Sequence, residues 1–335
     1  MIKEAIIELS KKQDLTYEMA EGVMHEIMGG DATPVQMSAY LTALSLKGET
    51  TTEITASAAG MRAHCVRLLH DIDALEIVGT GGDHANTFNI STAAAIITAA
   101  AGVPVAKHGN RSASGKCGAA DVLEALGVNI NISPEKSARL LSEIGICFLF
   151  AQNYHIAMKY VAPVRRELGI RTVFNILGPL TNPAGAKMEL MGVYDRELVE
   201  PLAQVLCNLG VRSAMVVHGE DGLDEVSLSA PTYVCEVKDG WVRSYTITPE
   251  QFGFSRCNKN DLQGGDPTEN AAILRAVLDG EKSAKRDAAV LNAAAAMYVS
   301  GKYDSIEAAV VAAEDVLVGS VASRKLQDFV RCSNE

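Results

Sequence analysis

A chain of 335 residues, 48% hydrophobic, has the material for one large domain or two unequal ones. Its formal charge of −11 excludes a nucleic-acid backbone as the main partner, because phosphates demand a basic face. No apolar run approaches the length of a membrane span, and the polar, amphipathic start MIKEAIIELSKK differs from a secretory signal, so no membrane partner and a cytoplasmic location are expected. Seven cysteines at wide spacings, without a C-x-x-C pair, read as reduced thiols filling a core.

Residues 1–70 read as helices only. Apolar positions recur at three- and four-residue spacings over Glu4–Leu9, Tyr17–Met28, Pro34–Leu46 and Thr52–Leu69. Gly29-Gly30 and Lys47-Gly48 mark helix ends, and Thr33-Pro34 marks a start. These residues form a small all-helical domain, whose leftover apolar surface serves either as a cap or as a dimer interface.

From Asp71 to the C-terminus the pattern alternates. Buried-strand candidates are Leu75–Val78, Val103–Ala106, Ile146–Phe150, Glu189–Val193 and Ala214–Val217. Helical runs fill the gaps over Ser91–Ala101, Ala120–Leu126, Pro134–Ile144 and Glu197–Leu209. The alternation predicts an α/β domain over 71–335 with a mostly parallel sheet flanked by helices. Tyr233–Val237 and Val242–Ile247 flank Lys238-Asp239-Gly240-Trp241 and predict a hairpin, hence an antiparallel edge. His155–Leu168 reads as a helix broken near Pro163. Asn270–Val330 returns to helix, interrupted at Gly280, Gly301 and Gly319.

Two stretches carry the chemistry. Leu75–Val78 runs into Gly79-Thr80-Gly81-Gly82-Asp83, then Asn86-Thr87-Phe88-Asn89-Ile90-Ser91-Thr92 and an Ala-rich helix. Strand, glycine turn and helix N-terminus together bind phosphate, although a tight turn needing φ > 0 accounts for the glycines almost as well. The second stretch, KHGNRSASGKCGAADVLEALG (107–127), opens with Lys107, His108, Asn110 and Arg111, followed by small residues that let backbone N–H groups approach an anion. Two such units close together in the chain would sit at one carboxyl edge of a parallel sheet. Basic side chains at Lys107, Arg111, Arg165 and Arg166 stand out in an acidic chain and would focus an anionic substrate. Asp224 and Glu225 close the glycine loop after Ala214–Val217, at the same edge. Such a pair is either a solvated acidic turn or a cation site.

GTGGD, NIST (89–92), KHGNRSASG and VAPVRRELGIRTVFNILGPLTNPA (161–184) resemble the anthranilate phosphoribosyltransferase family over nearly the whole chain. Pyrimidine nucleoside phosphorylases share related loops. Arg165 with the Asp224-Glu225 pair favours the transferase, and the charge of −11 disfavours a nucleic-acid-binding relative.

The resemblance implies phosphoribosyl transfer from phosphoribosyl pyrophosphate (PRPP) to anthranilate, with release of pyrophosphate, in tryptophan biosynthesis. It implies Mg2+, as two ions with PRPP, held by Ser91, Asp224 and Glu225. PRPP would meet Gly79, Gly82, Asp83, Thr87, Asn89, Ile90, Ser91 and Thr92, and a flexible loop of Lys107, His108, Gly109, Asn110, Arg111, Ser112, Ala113, Ser114 and Gly115, with Ala119 beyond it. Anthranilate would meet Gly79, His108, Asn110, His155 and Gly178, with Arg165 as the guanidinium fork for its carboxylate. No general base is implied, since an arylamine is neutral at pH 7 and needs orientation more than activation. The resemblance further implies a homodimer through the N-terminal helices, a segment near 155–185 that returns to pack on them, and room for an amidotransferase or anthranilate synthase subunit as partner. The chain departs from the pattern at Gly115-Lys116-Cys117-Gly118-Ala119, where relatives often carry Ser-Lys-Ser-Gly-Ser. A phosphate contact at Ala119 would therefore fall to backbone N–H or be lost.

Overall fold

The computed structural model describes residues 1–112 and 115–335; Ala113 and Ser114 of the expected PRPP loop lie outside the described residues. Four helices open the chain: α1 (Ile2–Ser10), α2 (Tyr17–Gly29), α3 (Pro34–Lys47) and α4 (Thr51–Ala63). Each of the last three begins at a threonine. The Thr16 hydroxyl accepts from Met19 N–H, while Thr33 with Gln36 and Thr50 with Glu53 form reciprocal capping boxes.

The α/β part follows as β1 (Leu75–Gly79), α5 (Ile90–Ala100), β2 (Val105–Gly109), α6 (Ala119–Leu126), α7 (Pro134–Ile144), β3 (Ile146–Phe150), α8 (Ala151–Tyr154), α9 (Met158–Leu168), α10 (Phe174–Leu177), β4 (Met188–Gly192), α11 (Val199–Asn208), β5 (Ser213–Gly219), β6 (Thr232–Lys238) and β7 (Trp241–Ile247). Helices α12 (Pro267–Leu278), α13 (Ala284–Val299), α14 (Ile306–Val318) and α15 (Val321–Asn334) complete it. The seven strands form one sheet in the order β3-β2-β1-β4-β5-β6-β7, parallel as far as β5 and antiparallel at β6 and β7. The hairpin and the mostly parallel sheet stand as the pattern predicts.

Strand direction places the site. From β1 the chain steps outward to β2 and β3, then returns to the other side of β1 with β4 and β5. The carboxyl ends of β1 and β4 therefore flank a topological switch point, where open α/β sheets bind ligands. Side chains alternate across the sheet with the two-residue period of a strand. Met215 and Val217 of β5 enter the apolar cluster under α5 and α13, whereas Ala214 and Val216 enter the cluster that holds α1–α4 and α11. Val161 and Val164 of α9 and Phe174 of α10 share that second cluster.

Three local expectations are corrected. The helix read over Thr52–Leu69 stops at Ala63, because the following backbone bonds elsewhere: Val66 N–H to the Tyr154 carbonyl (2.9 Å) and Leu68 N–H to that of Pro183 (3.1 Å). Pro163 does not break its helix. The interruption falls earlier, at His155–Ala157, and α9 is entered through three-residue hydrogen bonds that end before the ring (Lys159 N–H to Ile156, Tyr160 N–H to Ala157). Third, Lys107, His108 and Gly109 belong to β2, in register with Phe148, Leu149 and Phe150 of β3, so the loop after β2 begins only at Asn110.

Glu53 is the polar hub of the helical part. Fully buried, it accepts from Thr50 N–H (2.8 Å) and Leu15 N–H (2.9 Å) and pairs with Lys47 (2.9 Å). Glu53→Ala strands those two N–H donors, while the Lys47 ammonium keeps Asp14 (2.7 Å) and the Gly48 carbonyl (2.7 Å), so chemical denaturation is expected to show a loss of about 2–4 kcal/mol. A loss under 1 kcal/mol would mean that the hub carries little.

Candidate active site

Gly81 and Gly82, at the carboxyl end of β1, have φ of 68° and 79°, a left-handed backbone open to glycine. The turn they form is anchored from three sides. Gly81 N–H donates to the Asp224 carboxylate (2.7 Å), Tyr194 N–H donates to the Thr80 hydroxyl (3.2 Å), and the Arg171 guanidinium donates to the Gly82 carbonyl (2.7 Å). Asp224 lies against β1 and β4, and a Cβ on Gly79 or Gly192 would run into its carboxylate or its main chain. Strand-end glycines are thus what lets the acidic loop after β5 reach the switch point.

Next to it, Glu225 accepts from Ser91 N–H (3.2 Å) at the start of α5, where the N-terminal dipole favours an anion. Asp83 faces Asp224. Burial and the Asp83 charge push the Asp224 carboxyl up to about 7, and burial with the Asp224 charge holds Glu225 well above the carboxylate range. The cation nearest the group is Lys107, which extends from β2 to the Ser91 hydroxyl (3.2 Å) and the Ile77 carbonyl (2.6 Å). Burial pulls its ammonium below the ordinary value, against Glu76, Glu225 and Asp224. Glu76, pushed up to about 7 by burial, sits on β1 and accepts from His108 N–H and the Asn182 amide.

Of the other residues expected around PRPP, Ile90 and Thr92 lie in the first turn of α5, with Ile90 in the core and the Thr92 hydroxyl buried without a partner among the described residues. Thr87 pairs through its backbone with Gln263, and Asn89 bonds the Cys117 carbonyl (3.1 Å) and the Asn270 amide (2.9 Å). Asn110 is exposed. Arg111 pairs with Asp121 (3.0 Å) and Glu124 of α6. Asp121 also accepts from Ser112 N–H (3.0 Å) and Gly118 N–H (2.8 Å). The Gly118 N–H, just ahead of Ala119, is therefore taken by the protein's own carboxylate.

The rings of His108 and His155 lie 5.0 Å apart and tilted by 54°, with the Gly178 and Thr181 backbones against them. Burial pulls them down to about 3 and about 4, so both are neutral at pH 7, and the Nε2 of each is buried with no partner among the described residues. Two unsatisfied imidazole nitrogens in one place suit a polar ligand. Arg165 lies half-buried over Phe174 (5.3 Å), forms no ion pair among the described residues, and is lowered by burial. The fold thus gathers the β1 turn, Ser91, Lys107, Asp224 and Glu225 at the switch point, and runs through α10 from Arg165 to Gly178 and the histidines. Gly192, Tyr194, Asp121 and Arg171 complete the arrangement, though sequence reasoning assigns them no part. Only Gly192, a glycine at a strand end, carried a local signal.

The donors suit Mg2+. They are oxygens (two carboxylates and a hydroxyl), and among the described residues no three acidic, histidine or cysteine side chains stand close enough to hold an ion alone. An ion there would share oxygens with a phosphate and water.

The glycosyl transferase family, helical bundle domain, matches residues 3–65, and the same family's a/b domain matches 71–322. An anthranilate phosphoribosyltransferase of Methanobrevibacter smithii is 62% identical over 100% of both chains, and one of Lachnoclostridium phytofermentans is 61% identical over 100% of this chain and 99% of its own. The crystal structure of the Thermus thermophilus enzyme superposes with a TM-score of 0.94 at 45% identity, covering 99% of each chain. That of Saccharomyces cerevisiae, in complex with PRPP and Mg, reaches 0.91 at 27% identity over 99% of this chain and 98% of that one. The chain belongs to the glycosyl transferase family and, within it, to the anthranilate phosphoribosyltransferases.

Because the folded pKa of Asp224 lies above its ordinary 3.8, the metal-free protein is favoured with Asp224 protonated, and that contribution is lost as pH rises from about 4 to about 7. Asp224→Asn removes the buried charge and keeps an acceptor for Gly81. Metal-free, the variant is expected to melt above the parent at pH 8, by a margin on the order of a few kcal/mol that closes towards pH 4. A variant less stable than the parent at pH 8 would show that the carboxylates do not repel.

Proposed function

We propose that this chain transfers the 5-phosphoribosyl group of PRPP to the amino group of anthranilate, giving N-(5-phosphoribosyl)anthranilate and pyrophosphate, the second step of tryptophan biosynthesis from chorismate. The observation that carries the reading is a set of carboxylates, buried and mutually repelling, around an anion-binding turn in an acidic protein. Such a site is completed by a cation bound to a polyanion, and Mg2+ is the enzyme's cofactor.

Asp224, Glu225 and the Ser91 hydroxyl would hold the ions. When bound, Mg2+ neutralises charge that builds on the departing pyrophosphate. The β1 turn with Gly79, Gly82, Asp83 and Thr87 would cradle pyrophosphate and ribose through its backbone, and the first turn of α5 from Asn89 to Thr92 through its dipole and side chains, because the Ile90, Ser91 and Thr92 N–H groups already bond Phe88, Glu225 and Asn89. Lys107 adds fixed positive charge, and the segment from His108 to Gly115 with Ala119 covers the sugar phosphate. For Arg111 to reach that phosphate, it leaves Asp121 and Glu124. The ribose C1 passes through an oxocarbenium-like state as its bond to pyrophosphate breaks, and the arylamine nitrogen attacks on the other face. Arg165 fixes the anthranilate carboxylate, while Gly79, Asn110, Gly178 and the neutral His108 and His155 shape its pocket. Rate comes from positioning and leaving-group stabilisation, with the amine proton released to solvent or a phosphate oxygen.

The helical part, 1–70 with the 155–185 return, closes on the 71–335 part and excludes water. Val35 (78% exposed) and Leu46 (82%) on α3 with Ile7 (53%) on α1 support a homodimer through these helices. Among the described residues no helix is long and apolar enough to cross a membrane. Seven unpaired thiols support a cytoplasmic location. Association with an amidotransferase or anthranilate synthase subunit would show as co-elution of the two proteins.

Loss of anthranilate fluorescence with PRPP and Mg2+ measures the reaction directly. Arg165→Ala is expected to raise the KM for anthranilate about 10- to 100-fold, the worth of a charge-assisted hydrogen bond, with little change for PRPP. Asp224→Asn with Glu225→Gln is expected to abolish the Mg2+-dependent rate. Parental turnover without metal, or an unchanged anthranilate KM, would refute these assignments.

A further inference from the structure

Arg171 has no place in the reaction described above, yet it is bonded to both halves of the molecule. It stands in the segment between α9 and α10. Its guanidinium donates to the Gly82 carbonyl (2.7 Å) and lies 3.7 Å from the centre of the Tyr194 ring, just beyond β4. Its own carbonyl accepts from the Ser45 hydroxyl of α3 (3.0 Å). Among the described residues it makes no ion pair, so its charge is spent on a carbonyl and an aromatic face.

The turn it holds has few conformational restraints of its own. Two successive glycines with positive φ have access to many more states than other residues, and a turn that presents N–H groups to pyrophosphate must be kept in one of them. Of the three anchors on this turn, Asp224 is also a metal ligand and is drawn towards a cation when one binds. The Tyr194 N–H anchor is rigid and ends at Thr80. Among the described residues Arg171 alone secures Gly82, and of the three anchors it alone comes from a segment bonded to the helical part. A flat guanidinium suits the role: one face stacks on Tyr194 while an edge N–H meets the carbonyl, a pairing that an ammonium cannot reproduce.

We infer that Arg171 is a positioning residue for PRPP: it fixes the Gly81-Gly82 turn and ties that turn's geometry to the seating of α3. The inference rests on the reading of this turn as the PRPP cradle. Ordering of the turn and seating of the helical part against it then become one event, and PRPP, though bound by the α/β part, is sensed by α3.

The test measures PRPP binding by calorimetry with Mg2+ on the full chain, beside the KM for anthranilate and the melting temperature. Arg171→Ala is expected to weaken PRPP about three- to tenfold while the anthranilate KM at saturating PRPP stays within about twofold. Arg171→Lys, which keeps a donor and loses the stack, is expected to fall between. Ser45→Ala, which removes only the hydroxyl that bonds the Arg171 carbonyl, is expected to shift PRPP affinity in the same direction by a smaller factor. Unchanged PRPP affinity in Arg171→Ala would overturn the inference, as would equal weakening of both substrates with a fall in melting temperature. An effect in Arg171→Ala without one in Ser45→Ala would overturn the link to α3. Because the ratio of variant to parent is read from PRPP binding alone, it judges Arg171 even if anthranilate proves not to be the acceptor. A parent that fails to bind PRPP would instead refute the function.

Discussion

Mutual repulsion of carboxylates kept from water is the constraint on which this structure turns. Asp224 and Glu225 converge where burial pushes both towards their neutral forms, with the half-buried Asp83 facing them, and Lys107, itself buried, is the main internal counterweight. A folded protein tolerates such a cluster only if its surroundings hold it in place. The glycines at the ends of β1 and β4, the Ser91 N–H and the Gly81 N–H do so here. The electrostatic cost in the free protein becomes affinity once a divalent cation arrives with a polyanion.

Topology explains why these groups meet. The strand order reverses at β1, so the turns after β1, β2, β4 and β5 all open on one edge from distant parts of the sequence. One face of the same sheet is covered by the α5–α13 layer and the other by α11 and the N-terminal helices. The second layer carries, through α9 and α10, the half-buried Arg165 and the pocket of neutral imidazoles.

Much of this was legible in the residues. Alternating apolar runs define the sheet and the helices, GTGGD falls at the end of β1, NIST opens α5, and Asp224-Glu225 lie in the loop after β5. What escaped was set by partners far along the chain. Lys107, His108 and Gly109 look like a polar loop but are pinned into β2 by β3, a pairing with no local signature. Val66 and Leu68 continue the spacing of α4 yet are pulled into an extended connector by Tyr154 and Pro183. Asp121 reads as an ordinary first-turn acid, and only the folded loop reveals that it occupies the donors a phosphate would want. Arg171 lies inside a recognisable motif, but its role depends on Gly82, Tyr194 and Ser45 arriving from three other elements.

The apolar cluster shared by α1–α4, α11 and the strands β4–β6 has a consequence for folding. Met191, Val193, Ala214 and Val216 are shielded from water by a layer that contains the first helices of the chain. During synthesis those helices emerge long before the strands and α11, and they pack first on one another, α1 on α3 and α2 on α4. α11 packs directly on β5 and β6, so a chain lacking the first helices would bare the surfaces of α9 and α11 that α2, α3 and α4 cover. Contacts of the helical part with α9 and α11 thus keep apolar surface from water besides seating the segment that carries Arg165.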